Sequence, residues 1–393
     1  MLLGSTHPRA DMLSIPHSWL QLRTQVRALA SRSSSSTSQL HEKSRLAMIS
    51  TLIPCILLGT PAESVTLNEE TVLTRIALGS CAKQNLPQPI WDPILAAEPD
   101  LFIFLGDNIY GDSKDMDVIS RKYSQLAAKP GFQKLRATVP ILATWDDHDY
   151  GADDSGVEYP MKVKTQKLFL DFFNEPLEST RRKTEGIYDA KIFGSKGKRV
   201  QIILLDTRYF RGPLKPKPRV PGKGTRYLPS EDTSVTMLGE KQWGWLEDQL
   251  RTPAEVRIIA SSIQVISEEH DSEKWMNLPH ERIRLYQLIY DTAAAGVIFV
   301  SGDVHRGELS MMDGGAGYPF YDLTCSGLTQ VTKVKLEDWT NRYRVGTVDW
   351  TTSFGTIEFD WESVDPVIRL QIRDDVGEVS LQKKIHLSEL QPK

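Results

Sequence analysis

The segment from Val139 to Asp154, VPILATWDDHDYGADD, decides how the chain must be read. Its first half is an apolar run without polar alternation, which predicts a β-strand buried on both faces. Its second half delivers Asp146, Asp147, His148 and Asp149 in immediate succession. Such side chains repel or desolvate one another when buried unpaired, so the cluster needs a cation, a solvated surface or a catalytic task.

Five further runs share the design of an apolar strand ending abruptly in polar residues: RIALGSCAK, DLFIFLGDNIY, VQIILLDTRYF, VRIIASSIQV and GVIFVSGDVHRGEL. Helix-like segments lie between them, QPIWDPILAAE, GEKQWGWLEDQL and LPHERIRLYQLIYDTAAAG, the last with Gly296 as its expected terminator. Alternation of strands and helices predicts an α/β fold with sheets covered by helices, in which ligands gather beyond the carboxyl ends of the strands. All the polar clusters fall there. The C-terminal stretches FGTIEFDW and VIRLQIRDDVGEVSLQKKIHL read as edge strands with a turn near Gly377, finishing the second sheet.

Bulk composition narrows the function classes. With 40% apolar and 25% charged residues over 393 positions, the chain has material for a large core. A net charge of −4 gives no whole-chain argument for a nucleic-acid partner or an anionic membrane. Cys55, Cys81 and Cys325 are too few for a disulfide framework and form no CxxC zinc pattern. Cys325 reads as a small packed residue of a strand.

The N-terminal 64 residues differ from the rest. Up to Gly59, six Lys or Arg stand against two acids, with SRSSSSTS in the middle and the uncharged run LAMISTLIPCILLG at the end. That run is shorter than the ~18 to 20 residues a bilayer requires, so no transmembrane anchor is expected. It suits a secretory leader over 1–64, ahead of one domain over 65–393, and hence a secreted or periplasmic location. An Arg/Ser-rich organelle-targeting leader is the alternative.

Brought into one cleft, Cys81, Asp107, Tyr110, Asp147, Asp303 and His305 supply a thiolate, a phenolate, an imidazole and three carboxylates. Thiolate and phenolate favour a higher-charge iron centre, and an oxygen-rich neighbour suits calcium, manganese or magnesium. Cations so placed polarise a phosphoryl group and produce hydroxide near neutral pH, leaving His148 to stabilise charge or protonate the leaving oxygen. Arg208 offers a planar fork for a phosphate oxygen, with pairing to Asp206 or a helix carboxylate as the plainer role. The segment Arg211 to Ser230 carries six basic residues and no acid, and reads as a positively charged rim or a solvated loop.

At these residues the sequence resembles the PhoD-like alkaline phosphatase and phosphodiesterase family of metallophosphoesterases. The matching stretches, in the family's order, are GSC at Cys81, LGDNIY at Asp107 and Tyr110, TWDDHD at Asp147 and His148, LDTRYF, LGEKQWGWLEDQL, and SGDVHRGEL at Asp303 and His305. The resemblance implies a four-layer α/β/β/α sandwich with two mixed central sheets and hydrolysis of phosphomonoesters or phosphodiesters at alkaline pH by a metal-activated hydroxide. It also implies Fe3+ held by Cys81, Tyr110 and His305, Ca2+ held by Asp147 and Asp303, and Asp107 as the bridge. Two departures accompany it: Asp149 stands where Glu is common, and no room remains for the N-terminal β-domain of larger members.

Two other classes compete. A non-catalytic calcium-binding extracellular protein accounts for the acid cluster but leaves Cys81, Tyr110 and His148 without a task. A hydrolase of non-phosphate bonds would want an HxH pair on the first strand, where this chain has Gly79, Ser80 and Cys81.

Overall fold

The computed structural model describes residues 65–218, 226–313, 316–332 and 339–393; the leader expected over 1–64 and positions 219–225 of the basic segment lie outside them. In chain order the first elements are β1 (Arg75–Gly79), α1 (Trp91–Ala96), β2 (Leu101–Leu105), α2 (Met116–Ala127), α3 (Pro130–Thr138), β3 (Ile141–Thr144), α4 (Asp147–Tyr150) and α5 (Lys162–Phe172). There follow β4 (Asp189–Phe193), β5 (Val200–Leu204), the short β6 (Lys215–Pro216) and β7 (Tyr227–Leu228), α6 (Gly239–Arg251), β8 (Val256–Ala260) and α7 (Pro279–Asp291). The chain closes with β9 (Val297–Ser301), β10 (Gly307–Met312), β11 (Phe320–Cys325), β12 (Arg344–Val348), β13 (Ser353–Asp360), β14 (Val367–Asp374) and β15 (Val379–His386).

Two large mixed sheets result, ordered β15-β14-β13-β1-β2-β3 and β12-β10-β11-β9-β8-β5-β4. Strands β1, β2 and β3 run parallel in the first; β5, β8, β9 and β11 run parallel in the second. Antiparallel strands flank both parallel cores.

The two-sided burial expected of the apolar runs has a simple origin in β2. Leu101, Ile103 and Leu105 join the core that also holds Ile258, Ala260, Ile298 and Val300 of the other sheet. The intervening Phe102 and Phe104 point the other way, into a layer with Trp91, Phe132 and Leu135 from the helices. Each such side chain contributes about 1.5–3 kcal/mol when removed from water, which is why neither face carries polar residues. Trp243 and Leu246 of α6 and Leu285 and Ile289 of α7 cover the outer face of the second sheet.

Two expectations change in detail. The C-terminal strands join the first sheet, and β13 is an interior strand between β14 and β1 rather than an edge. Its Phe354 faces the helix layer while Ile357 and Phe359 face the inter-sheet core, so both faces are occupied. Helix α7 stops at Asp291, where Ala293 takes the left-handed turn with φ 51°. Gly296 serves the next step instead: at φ 69°, a Cβ there would lie 2.2 Å from the Glu255 carbonyl oxygen. Among the described residues no helix is long and apolar enough to cross a membrane.

Candidate functional site

The carboxyl ends of β1, β2, β3, β5 and β9 converge, and each chain leaves its strand in a strained turn or directly into a polar residue. Cys81, Asp107, Asp303 and His305 all adopt left-handed backbone, with φ of 63°, 50°, 70° and 53°. Non-glycine residues take this conformation at a cost of about 1–3 kcal/mol, borne where the surroundings over-determine it. Here they do. Cys81 N–H donates to the Gly106 carbonyl at 3.3 Å and Ala82 N–H to the Asp107 carbonyl at 2.9 Å. His305 N–H donates to Ser326 Oγ at 2.8 Å.

Asp149 is the hub of this backbone arrangement. Its Oδ1 accepts the amides of Asp146 at 2.6 Å and Asp107 at 3.3 Å, and its Oδ2 accepts the Asn108 amide at 3.2 Å. In the sequence Asp149 belongs to the cluster that calls for a cation, a solvated surface or a catalytic task. Both of its oxygens are instead occupied in fixing the β2 and β3 turns to each other.

Seven of the expected residues meet. Cys81 Sγ lies 3.4 Å from Asp107 Oδ2 and 3.1 Å from Ser326 Oγ, and Tyr110 Oη lies 2.9 Å from His305 Nε2. Donor atoms gather in three overlapping groups, each within 4.8 Å: Cys81, Asp107 and His305; Asp107, Asp147 and His148; Asp146, Asp147 and Asp303. Asp107 belongs to two of them.

The donor set fits cations. Asp107 Oδ1, Asp146 Oδ2 and Asp147 Oδ1 are buried without a hydrogen-bond partner, an arrangement that is costly for carboxylates unless a positive ion satisfies them. Burial, then Cys81 and Asp147, push the Asp107 carboxyl well above its ordinary value. Burial, then Asp146 and Asp147, do the same to Asp303, and burial pushes the Cys81 thiol up to about 12. These groups resist ionisation in the protein's own field, and a cation reverses that balance. Burial, with His148, lowers His305 to about 4, leaving the neutral imidazole that a metal ligand must be.

His148 is set apart by its partners. Its Nδ1 donates to Asp112 Oδ1 at 2.6 Å, and its ring packs against Tyr110 at a 33° tilt with centroids 4.1 Å apart. Burial works against its charge, but Asp107, Asp147 and Asp112 outweigh this and raise it to about 11. Asp112 did not emerge from the sequence, although a second Gly-Asp pair directly after LGDNIY was its signal. The loop that carries it is held by Lys122 of α2, whose Nζ donates to the Tyr110 and Gly111 carbonyls at 2.7 and 2.8 Å.

Arg208 does not stand open in the cleft. Its side chain is fully buried, with Nε donating to Asp146 Oδ1 at 2.6 Å and Nη1 2.5 Å from Glu273 Oε2. The fork expected to receive a phosphate oxygen is occupied by two carboxylates. Asp206, the plainer partner considered for it, instead accepts the Arg208 amide and Trp145 Nε1, each at 2.9 Å. Glu273, which also pairs with Arg211 at 3.2 Å, was another residue missed, since it lies in a polar stretch that reads as solvated loop.

Three of the four described basic residues in the 211–230 segment pair with acids. Arg211 is buried against Glu273, while Lys217 and Arg226 both pair with Asp271. Lys215 is exposed on the β6-β7 hairpin, and Arg219 and Lys223 lie outside the described residues. The hairpin touches the site through Tyr227, whose hydroxyl donates to Asp154 Oδ2 at 2.7 Å. Asp154 N–H donates in turn to Asp147 Oδ2 at 2.6 Å. Burial acts to raise Asp147, yet Arg208, His148 and that amide hold it down at about 2.

Comparison with known proteins places the chain by family and by fold. The sequence model described as PhoD-like phosphatase matches residues 76–338. A solved structure titled as that of PhoD aligns with a TM-score of 0.62 and 16% identity, covering 81% of this chain and 70% of the other. A dimetal phosphatase from Danio rerio aligns with a TM-score of 0.50 and 14% identity, covering 80% of this chain and 99% of the other. No curated protein sequence matches the chain.

Proposed function

The chain belongs to the PhoD-like phosphatase family of metal-dependent phosphoesterases, and from that premise we propose that it is a secreted enzyme hydrolysing phosphomonoesters, phosphodiesters or both, at alkaline pH. The observation that carries this reading is the set of three donor groups sharing Asp107 and Asp147, with buried carboxylate oxygens lacking any partner. In this reading Cys81, Tyr110 and His305 would hold Fe3+ and Asp147 and Asp303 would hold Ca2+, with Asp107 shared between the two sites. Bound there, the two cations supply Lewis acidity toward the phosphoryl oxygens and lower the pKa of attacking water.

The protein's own groups do the rest. With Nδ1 committed to Asp112, His148 presents Nε2 to the cleft and donates its proton to the departing alcohol oxygen. Asp112 fixes the imidazole's orientation and sustains its charge. Arg208 and Glu273 act behind the site: the guanidinium holds Asp146 in place, works against the upward push of burial on its carboxyl, and lowers Asp147, without touching substrate.

The test uses the purified protein, assayed on p-nitrophenyl phosphate and bis(p-nitrophenyl) phosphate alongside metal analysis and a visible absorption spectrum. Turnover with bound iron and calcium is expected, with Asp107→Asn folded but reduced at least about 100-fold. Calcium-dependent stabilisation with neither ester hydrolysed after reconstitution would favour the non-catalytic calcium-binding alternative.

A further inference from the structure

Lys83 lies two residues beyond Cys81, on a main chain held from both sides. Its amide donates to Thr329 Oγ1 at 2.8 Å, and Thr329 Oγ1 donates to the Cys81 carbonyl at 2.6 Å. Gln88 Nε2 donates to the Lys83 carbonyl at 3.3 Å. The half-buried side chain carries its ammonium to 5.0 Å from the centroid of the Tyr110 ring.

Lys83 differs from the paired cations around the site in the charge it has left over. Lys122 is satisfied by two carbonyls, and Arg208 and Arg211 are matched by buried acids. Among the described residues the Lys83 ammonium meets no carboxylate and no hydrogen-bond acceptor, only the aromatic face. A cation–π contact offsets part of the loss of hydration but leaves the positive charge uncompensated. The same ring ends in the hydroxyl 2.9 Å from His305 Nε2 and packs against His148. Lys83 and His148 thus both contact the ring of Tyr110, which sets the ammonium next to residues that border the donor cluster.

We propose that Lys83 is a specificity residue that reads the second negative charge of a phosphate monoester dianion and so biases the site toward monoesters over diesters. The inference rests on the phosphoesterase reading above. A diester carries one negative charge and presents a second ester group where the monoester presents an anionic oxygen. An uncompensated cation at that position discriminates between them, and specificity is a difference of this kind.

The experiment measures kcat/KM for p-nitrophenyl phosphate and bis(p-nitrophenyl) phosphate, together with inhibition by inorganic phosphate and metal content, in wild type, Lys83→Met, Lys83→Ala and Lys83→Arg. Methionine keeps the aliphatic stem over Tyr110, so packing is separated from charge. The expected result is that Lys83→Met lowers the monoester value at least about tenfold more than the diester value, weakens phosphate inhibition in step and keeps the metals, while Lys83→Arg restores the ratio. An unchanged monoester-to-diester ratio, or equal loss on both esters with loss of metal, overturns the inference. A wild type that hydrolyses neither ester brings down the phosphoesterase reading itself, an outcome distinct from either.

Discussion

Asp112 Oδ1 lies 2.6 Å from His148 Nδ1, and the carboxylate reaches this position because Asp112 adopts left-handed backbone at φ 44°. The pair leaves Nε2, which lies 3.9 Å from Asp153 Oδ1, as the ring nitrogen turned away from Asp112, and Asp112 adds to the carboxylates that favour the protonated ring. Replacing Asp112 by Asn removes a charge that favours the imidazolium without emptying the space. Asp112→Asn is therefore expected to lower kcat by about 10- to 100-fold with little change in KM. Because the proton donor then titrates at lower pH, the alkaline decline of the pH–rate profile moves to lower pH. An alkaline limb that stays in place would remove His148 from the role of acid.

Arg208 makes a different prediction from the one its exposed counterpart would make. Its guanidinium is buried between Asp146 and Glu273, so Arg208→Met strips Asp146 of its counter-ion and leaves Glu273 with Arg211 alone. Breaking such a pair costs about 3–5 kcal/mol. Urea unfolding should show a loss of that order, whereas a residue gripping substrate at the surface of the cleft would raise KM and leave stability alone.

Most of the architecture was legible because its cause is local. Leu101 to Leu105 must be apolar at every position to sit between two hydrophobic layers, and that demand is visible without a structure. The donor residues were legible for a related reason, since each of Cys81, Asp107, Asp147 and Asp303 follows closely on such a run. What the sequence hid depends on pairings between distant segments. The register of Ile76 with Ile357, which makes β13 an interior strand, leaves no trace in either segment alone. Asp149 was indistinguishable from its neighbours as a ligand, because acceptance of amide protons from Asp107 and Asn108 is set by how two turns meet. Glu273 and Asp112 looked like solvated loop acids, and only their partners Arg208 and His148 reveal otherwise.

His270 gives a pH dependence of stability separate from the site's ligands. It is buried, stacked on Trp339 with centroids 4.3 Å apart, and its Nε2 lies 2.8 Å from Gln264 Oε1. Burial, then the charges of Lys274, Arg306 and Arg344, push its pKa well below the ordinary 6.5. The folded state thus binds this proton less readily than the unfolded chain. Stability from this residue is present above pH 6.5 and declines as pH falls below it, by about 1.4 kcal/mol for each pH unit until the folded pKa is reached. Urea unfolding at pH 7.5 and about 5.5 should show this loss in wild type and a smaller one in His270→Gln. Equal losses in both would place the acid sensitivity elsewhere.

The two donor types within one cluster predict that the cations can be removed separately. Cys81 and Tyr110 contribute sulfur and phenol oxygen on the side of His305, whereas Asp147 and Asp303 contribute only carboxylate oxygen, with Asp107 between them. On the proposed assignment the strongly donating anions retain iron and the carboxylate set retains calcium. Cys81→Ala is therefore expected to lose iron and any visible charge-transfer band while calcium still raises Tm, and Asp303→Asn is expected to keep iron and lose the calcium response. Chelation of the wild type should abolish turnover and lower Tm, since a ligand present at 100 times its Kd stabilises by about 2.7 kcal/mol. Metal analysis with thermal unfolding, before and after each ion is returned, reads both effects. Loss of both metals from either variant would mean that the cluster binds them as one unit rather than as two sites joined by Asp107.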